Sequence, residues 1–401
     1  MFKYLKQDIP ASFVVFFVAL PLCLGIAVAS GASPFSGLIA GIVGGIVAGS
    51  ISNSPLGVSG PAAGLTVLVL TGIQTLGDFQ AFLLAVVLAG VFQVILAIVR
   101  AGVIGYFFPS SVIKGMLAAI GIIIILKQIP HALGDDKDPE GDMNMQQPDG
   151  ENTFTEIISA IQDPSAGVII VSVISLIIII SWDKMLVKKV AALKMVPSAL
   201  IAVIFGVLYE VFTPADSSLA IAAEHLVQVP VAGSVSEWFG FFQFPSLTYL
   251  NDPRVYQLAF TLGLVASLET LLSVEAIDKL DPKKRVTHKN RELLAQGAGN
   301  IVSGLIGGIP VTQVIVRSSA NVQSGGQTKL STILHGTLLL LCVIAIPTFL
   351  NMIPIAVLAC VLLLVGYKLT KPSLFIDMYR AGWSQFVPFV ITVAGVVFTD
   401  L

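Results

Sequence analysis

Apolar runs separated by short polar, glycine- or proline-bearing breaks recur along the whole chain. The pattern predicts helical spans at 11–29, 36–51, 61–75, 82–100, 111–128, 166–183, 197–213, 256–274, 294–308, 313–323, 331–349, 353–368 and 384–400. Runs of about 20 residues with almost no charge are what crossing a hydrocarbon layer of ~30 Å requires. Four spans, 36–51, 61–75, 294–308 and 313–323, are short and rich in small residues, which permits close packing or a break at mid-membrane. Thirteen spans place the termini on opposite sides, and Val396–Leu401 closes an apolar helix without a polar tail. The natural protein is therefore expected to continue with at least one more helix.

Composition agrees. Hydrophobic residues are 55% of 401 and charged residues 11%, against roughly 25% charged in soluble domains. The chain reads as an all-α polytopic membrane protein in the lipid bilayer. Lys3, Lys6 and Asp8 precede the first apolar run and no small-residue cleavage site follows, so that helix is read as retained. With the N-terminus in the cytoplasm, the inner loops collect most lysines and arginines, from Lys184–Lys194 and Lys279–Arg291 to Lys368–Arg380. Only Lys127, Lys137 and Arg254 fall on or near the outside, as the positive-inside rule requires. Segment 129–165, acidic through Asp135, Asp136, Asp138, Glu140, Asp142, Asp149 and Glu151, is then a solvated outer loop without calcium-loop spacing. Segment 214–255 carries Trp238, Phe239, Phe241, Phe242 and Phe244 as interfacial anchors or a lid. Cys23, Cys342 and Cys360 lack metal-ligand spacing and read as packing residues. No basic, aromatic-interleaved patch points to nucleic acid, and no nucleophile–base pair or metal cluster points to an enzyme.

Arg317 is the most informative residue. It follows Gly307-Gly308-Ile309-Pro310 in an apolar stretch, and a guanidinium cannot discard its proton to escape low dielectric. A helix that starts there inside the bilayer adds free N–H groups and the positive end of its dipole. A comparable interruption, Pro55-Leu56-Gly57-Val58-Ser59-Gly60-Pro61, opens span 61–75, and both interrupted spans stand third of seven in their halves. Such paired breaks in inverted repeats point to a transporter's midplane site. Gln313, Arg317 and Asn321, spaced i, i+4, i+8, are expected on one helix face. Two readings of Arg317 stand: an anion ligand, or the structural partner of a buried carboxylate such as Glu269. Glu269, with Ser273 one turn on, is the candidate for coupling to H+ or Na+. Glu275, Asp278 and His288 read as a solvated face, and His335 as a packed histidine.

These residues resemble the sulfate permease (SulP) family of anion transporters over essentially the whole chain. The resemblance rests on Asp8-Ile9-Pro10-Ala11 with Pro21-Leu22-Cys23-Leu24-Gly25, and on Asn290-Arg291-Glu292-Leu293-Leu294-Ala295-Gln296-Gly297-Ala298-Gly299-Asn300 followed by Gly307–Pro310 and Arg317–Thr328. It implies fourteen segments in a 7+7 inverted repeat, with two half-helices, the third and tenth, meeting at the midplane. The implied core comprises 1–105 and 256–350, the gate 106–215 and 351–401, with 216–255 as an extracellular connection. The anion is expected between the half-helix N-termini, at Ala63, Gly64, Gln313, Val316, Arg317 and Ser318, with Leu22, Cys23 and Ile26 lining the site. Sodium-coupled members place an aspartate at the position of Glu269 and a hydroxyl residue at that of Ser273. Leu22 stands where the family usually has glutamine, which removes one polar contact. The regulatory STAS domain and helix fourteen are expected to be missing from this chain.

The function expected is secondary-active transport of a small inorganic anion, sulfate or bicarbonate, across a bacterial inner membrane by an elevator-like movement coupled to H+ or Na+. No cofactor is expected beyond the coupling ion, and a homodimer is among the assemblies allowed. An uncoupled exchanger or channel is one rival. A nucleobase-type permease is another, though it would favour a carboxylate-lined site without Arg317.

Overall fold

The computed structural model describes residues 2–106, 109–137, 152–182, 184, 193 and 196–399. In chain order its principal elements are α1 (Leu5–Ala29), α2 (Pro34–Val43), β1 (Ser59–Pro61), α3 (Thr66–Leu76), α4 (Phe79–Ile98), α5 (Ser110–Leu133), α6 (Thr153–Gln162), α7 (Ala166–Ser181) and α8 (Ser198–Phe212). They continue with α9 (Val235–Gly240), α10 (Pro253–Leu280), α11 (Lys289–Leu305), β2 (Val311–Gln313), α12 (Ile315–Gln323), α13 (Leu330–Ala345), α14 (Ile355–Leu369), α15 (Pro372–Arg380) and α16 (Trp383–Thr399). Among the described residues, six helical spans are long and apolar enough to cross a membrane, or seven if the bent pair α6–α7 counts as one. Large apolar side chains left exposed, such as Ile98, Phe212, Ile391 and Phe398, suit a lipid surround. The chain is an integral, multi-pass membrane protein.

Two compact units divide the chain, Met1–Phe107 with Val229–Pro347, and Phe108–Gln228 with Thr348–Leu401. Residues 216–228 thus fall in the second unit and 229–255 in the first.

In the first unit α11 packs against α4 backbone to backbone. A Cβ on Gly297 would stand 2.8 Å from the carbonyl oxygen of Gly90, and one on Gly90 2.6 Å from that of Gly297. Only glycine lets two helices approach so closely. Asp78 starts α4 by accepting from Gln80 N at 2.7 Å, and Tyr249 Oη donates to its other oxygen at 2.6 Å. Asp8 on α1 is wholly buried and accepts from the backbone N–H groups of Gln327 and Thr328, at 2.7 and 3.0 Å, tying down the turn after α12. The aromatic segment expected near the interface packs Trp238, Phe241 and Phe242 around Phe35.

In the second unit the 129–165 segment departs from a plain solvated loop. α5 runs on to Leu133, and Asn152 starts α6 with a capping box. Lys127, placed near the outside by the sequence, is buried and paired with Glu156 at 3.6 Å. Asp138, Glu140, Asp142, Asp149 and Glu151, like Lys188, Lys189 and Lys194, lie outside the described residues. Asp136 is buried between two imidazoles: the Nδ1–H groups of His131 and His225 donate to its two oxygens, each at 2.6 Å. The pair closes the end of α5 onto segment 223–228, which in turn pairs with the chain before α14 through Val227 N and Ile353 O at 3.0 Å. The cluster borders a cavity of about 480 Å³ also lined by Asp135, Lys137, Asp163 and Glu224.

Burial alone would raise the Asp136 carboxyl, but the hydrogen bonds from His131 and His225 hold it below the usual carboxylate range. The bond to Asp136 raises the His225 imidazole, against an opposing effect of burial. A histidine raised by folding contributes stability fully below its unfolded pKa of about 6.5, and loses it as pH climbs through the folded value. The difference in thermal midpoint between wild type and His225→Gln should therefore be largest in mild acid and shrink as pH rises. A pH-independent difference would show that the charged pair contributes nothing.

Candidate anion site

The two interrupted segments meet in the first unit. β1 and β2 pair antiparallel, with Ser59 opposite Gln313, Gly60 opposite Thr312 and Pro61 opposite Val311. Each strand then turns into a helix: a 3-10 turn, Ala63–Leu65, leads into α3, and Val314 precedes α12. Neither Ala62 nor Val314 caps its helix with a side chain. Both N-termini therefore keep backbone N–H groups available, with the positive ends of two dipoles brought together by the strand pair.

Gln313 departs from the expected helix face. It is the last residue of β2, and the helix begins only at Ile315. Pro310 and the β-branched Val311 and Thr312 favour extended backbone, and the ladder with β1 fixes it. Arg317 is thus the third residue of α12, while Gln313 approaches from the strand before it. Asn321 stays on the helix, where its Nδ2 donates to Leu56 O at 3.0 Å.

Arg317 is fully enclosed, and its Nε, Nη1 and Nη2 have no hydrogen-bond partner among the described residues. Its guanidinium lies against β1, so close that a Cβ on Gly60 would collide with Nη1. That approach is why glycine occupies the position. The thiol of Cys23 lies beside the guanidinium, and the His335 ring is within electrostatic reach. The His335 Nδ1–H donates to Thr332 O at 2.6 Å, which leaves Nε2 as the ring's acceptor, buried and without a partner among the described residues. Both amide atoms of Gln313 and the hydroxyls of Thr312 and Ser319 are likewise buried and unpartnered there. Buried polar atoms are normally satisfied, so such a concentration marks a place built for something polar.

Glu269, on α10, is half-buried, with Oε2 enclosed and unpartnered among the described residues. Its carboxylate faces the turn that leads into α3, where a Cβ on Gly64 would lie 3.3 Å from Oε1. Among the described residues no ion pair joins it to Arg317, so the carboxyl and the guanidinium stand separately at the crossing. The neighbouring Thr270 Oγ1 accepts from Gln313 N at 3.3 Å, fixing α10 to β2. Ser273 is buried one turn further along α10. Among the described residues no group of three or more His, Cys, Asp or Glu side chains is placed to hold a metal ion.

Of the other expected residues, Gly64 is exposed, Ala63 and Val316 are half-buried, and Leu22, Cys23 and Ile26 are buried on α1. Ser318 is engaged within the fold, where its hydroxyl accepts from Val58 N at 2.8 Å and donates to Val314 O at 2.6 Å. The accessible residues at the crossing are therefore Ala63, Gly64, Val316 and Glu269, with Arg317 and Gln313 enclosed behind them. Such an arrangement can hold an anion by backbone donors and a fixed positive field. Gly57 and Gly60 lie in the interruption, and Glu292, Gln296 and Asn300 in a motif, that the sequence already marked, but none of them was given a role at the site, and Thr270 was not marked at all. The signal that could have found the α11 side chains is polar residues at helical spacing within an apolar span.

Comparison with known proteins finds both a family and a fold that match. A family model described as the sulfate permease family matches residues 5–392. YvdB of Bacillus subtilis (strain 168), a provisionally named sulfate transporter, is 29% identical over 396 residues, covering 99% of this chain and 70% of that protein. The bicarbonate transporter BicA of Picosynechococcus sp. is 29% identical over 376 residues, covering 91% of this chain but only 62% of that protein. The solved transmembrane domain of a cyanobacterium bicarbonate transporter BicA superposes with a TM-score of 0.68 at 23% identity, covering 100% of this chain and 98% of that one.

Proposed function

The chain belongs to the sulfate permease family, and from that premise we propose that it is a secondary-active transporter of a small inorganic anion of the sulfate or bicarbonate class. One observation carries the reading. Arg317, a permanent cation, is enclosed with no acceptor for any of its nitrogens among the described residues, beside two uncapped helix N-termini. An oxyanion supplies the acceptors and the negative charge that this place lacks. The relatives' names include both sulfate and bicarbonate transporters, which is why the class is left at that breadth.

In this reading α3 and α12 are the third and tenth segments of a 7+7 inverted repeat. The unit that holds them is the mobile core, and the other unit is the gate against which it moves, elevator-fashion. The N-terminus lies in the cytoplasm of a bacterial inner membrane, and a homodimer is compatible with the arrangement. Glu269 couples transport to H+ or Na+: its carboxylate faces Gly64 at the anion's entrance, and Ser273 offers an oxygen one turn away. An ionised carboxylate at that depth is costly unless a proton or a sodium ion arrives with the substrate.

Two substitutions test the reading in proteoliposomes. Arg317→Ala should weaken the apparent affinity for the transported anion by roughly 10- to 100-fold, the worth of hydrogen bonds to a charged group. Its thermal midpoint without anion should not fall, because the charge removed has no partner among the described residues. Arg317→Lys should rescue only in part, since an ammonium restores charge but not the planar fork. Normal affinity in the alanine variant would remove Arg317 from the site. Glu269→Gln, which mimics the protonated state, should abolish gradient-driven accumulation while leaving exchange of internal for external anion. Accumulation with unchanged sodium and pH dependence would place coupling elsewhere.

A further inference from the structure

The strand pair that brings the half-helices together does not hold itself: it is three residues long on each side. What fixes it is one face of α11. Glu292, Gln296, Asn300 and Ser303 are all buried and stand at i, i+4, i+8 and i+11, a single stripe on the helix. Ser52 Oγ donates to Glu292 Oε2 at 2.5 Å. Gln296 Nε2 donates to Glu292 Oε1 and to Ser59 Oγ on β1, each at 2.7 Å. Asn300 grips β2 from both sides of one residue: its Oδ1 accepts from Val311 N at 2.6 Å, and its Nδ2 donates to Val311 O at 2.9 Å. Ser303 Oγ donates to Ile309 O at 2.8 Å, just before the strand.

Asn300 thus acts as an additional strand residue supplied by a side chain. Its second amide hydrogen goes to Gln93 Oε1 on α4 at 2.7 Å, and Gln93 Nε2 reaches Ser267 Oγ on α10 at 3.3 Å. Aspartate at 300 would lose both donors, glutamine would overshoot by a methylene, and an apolar residue would leave the Val311 backbone groups unpaired. The positions of Gln313 and of the α12 N-terminus follow from where Val311 is held, because β2 runs directly into α12.

Building on the transport reading, we infer that Asn300, supported by Gln93, is a specificity-determining positioning residue. It touches no anion, but it sets the offset between the two half-helix N-termini and so the size of oxyanion they accept. Gln296 does the same for β1 through Ser59.

The experiment compares full-length wild type with Asn300→Ala, Gln93→Leu and Gln93→Glu in proteoliposomes, measuring KM and Vmax for labelled sulfate and labelled bicarbonate. A protonated glutamate at 93 keeps an acceptor for Asn300 and a donor for Ser267, so it serves as the conservative variant. Asn300→Ala and Gln93→Leu should raise KM for the better-transported anion about 10-fold, the equivalent of one lost buried hydrogen bond. They should also change the ratio of KM values between the two anions, whereas Gln93→Glu should stay within about 3-fold of wild type on both counts. A merely structural role lowers yield or Vmax and leaves that ratio alone; this result would overturn the inference while the transport reading stands. Failure of both Asn300→Ala and Gln93→Leu to fold would overturn it equally, since the stripe would then have no part separable from folding. If wild type takes up neither anion, the transport reading fails first, and this inference with it.

Discussion

A guanidinium that cannot lose its proton and finds no acceptor among the described residues is the constraint on which the first unit is built. Leaving such a charge unpaired in a low-dielectric interior is expensive, and a fold tolerates it only where the compensating charge comes from outside. Arg317 is placed there by a chain of ordinary causes. Pro310 and two β-branched residues hold the chain extended, Gly60 opens space against β1, and the first helical turn after Val314 then carries the arginine. The uncapped N-terminus of α12 adds to the same positive field, and the partner strand brings a second such terminus beside it.

Holding two broken helices nose to nose requires more than their own six strand residues. The tie is polar and buried: α11 grips both strands, Thr270 on α10 accepts from Gln313 N, and Ser318 on α12 reaches back to Val58. Interior polar contacts of this kind specify one geometry because every alternative leaves a donor or acceptor unpaired. Glycine works with them. A Cβ on Gly44 would collide with Ser59 O, so the helix beside β1 can seat the strand only without a side chain there.

Much of this was legible in the residues. Long uncharged runs marked the six helical spans that are long and apolar enough to cross a membrane, and the two glycine–proline interruptions marked both strand-to-helix turns. Arg317 stood out because a cation in an apolar stretch has few explanations. Boundaries were poorer: α10 extends from Pro253 to Leu280, well past 256–274, because its charged last turns are held by Glu275 with Lys279 and Lys289 and not by lipid. Gln313 was misread as helical since a three-residue strand carries no periodicity of its own, and i, i+4 spacing continues into it by accident. The paired strands were invisible for a related reason: three residues are too few to show an alternating pattern, and β1, Ser59-Gly60-Pro61, has almost no strand propensity of its own. Likewise His131 and Asp136 are distant in sequence from His225, so only folding could bring both imidazoles to one carboxylate.

On the proposed reading, the charge partner of Arg317 is the transported anion and not another residue of the chain. The most direct measurement is a cryo-EM map of the wild-type protein in lipid nanodiscs, at a concentration of the transported anion that saturates its binding. Density for the anion is expected at the crossing of β1 and β2, within hydrogen-bonding distance of the N-termini of α3 and α12 or of the Arg317 guanidinium. A saturated protein in which that crossing is empty and Arg317 instead pairs with Glu269 would contradict it.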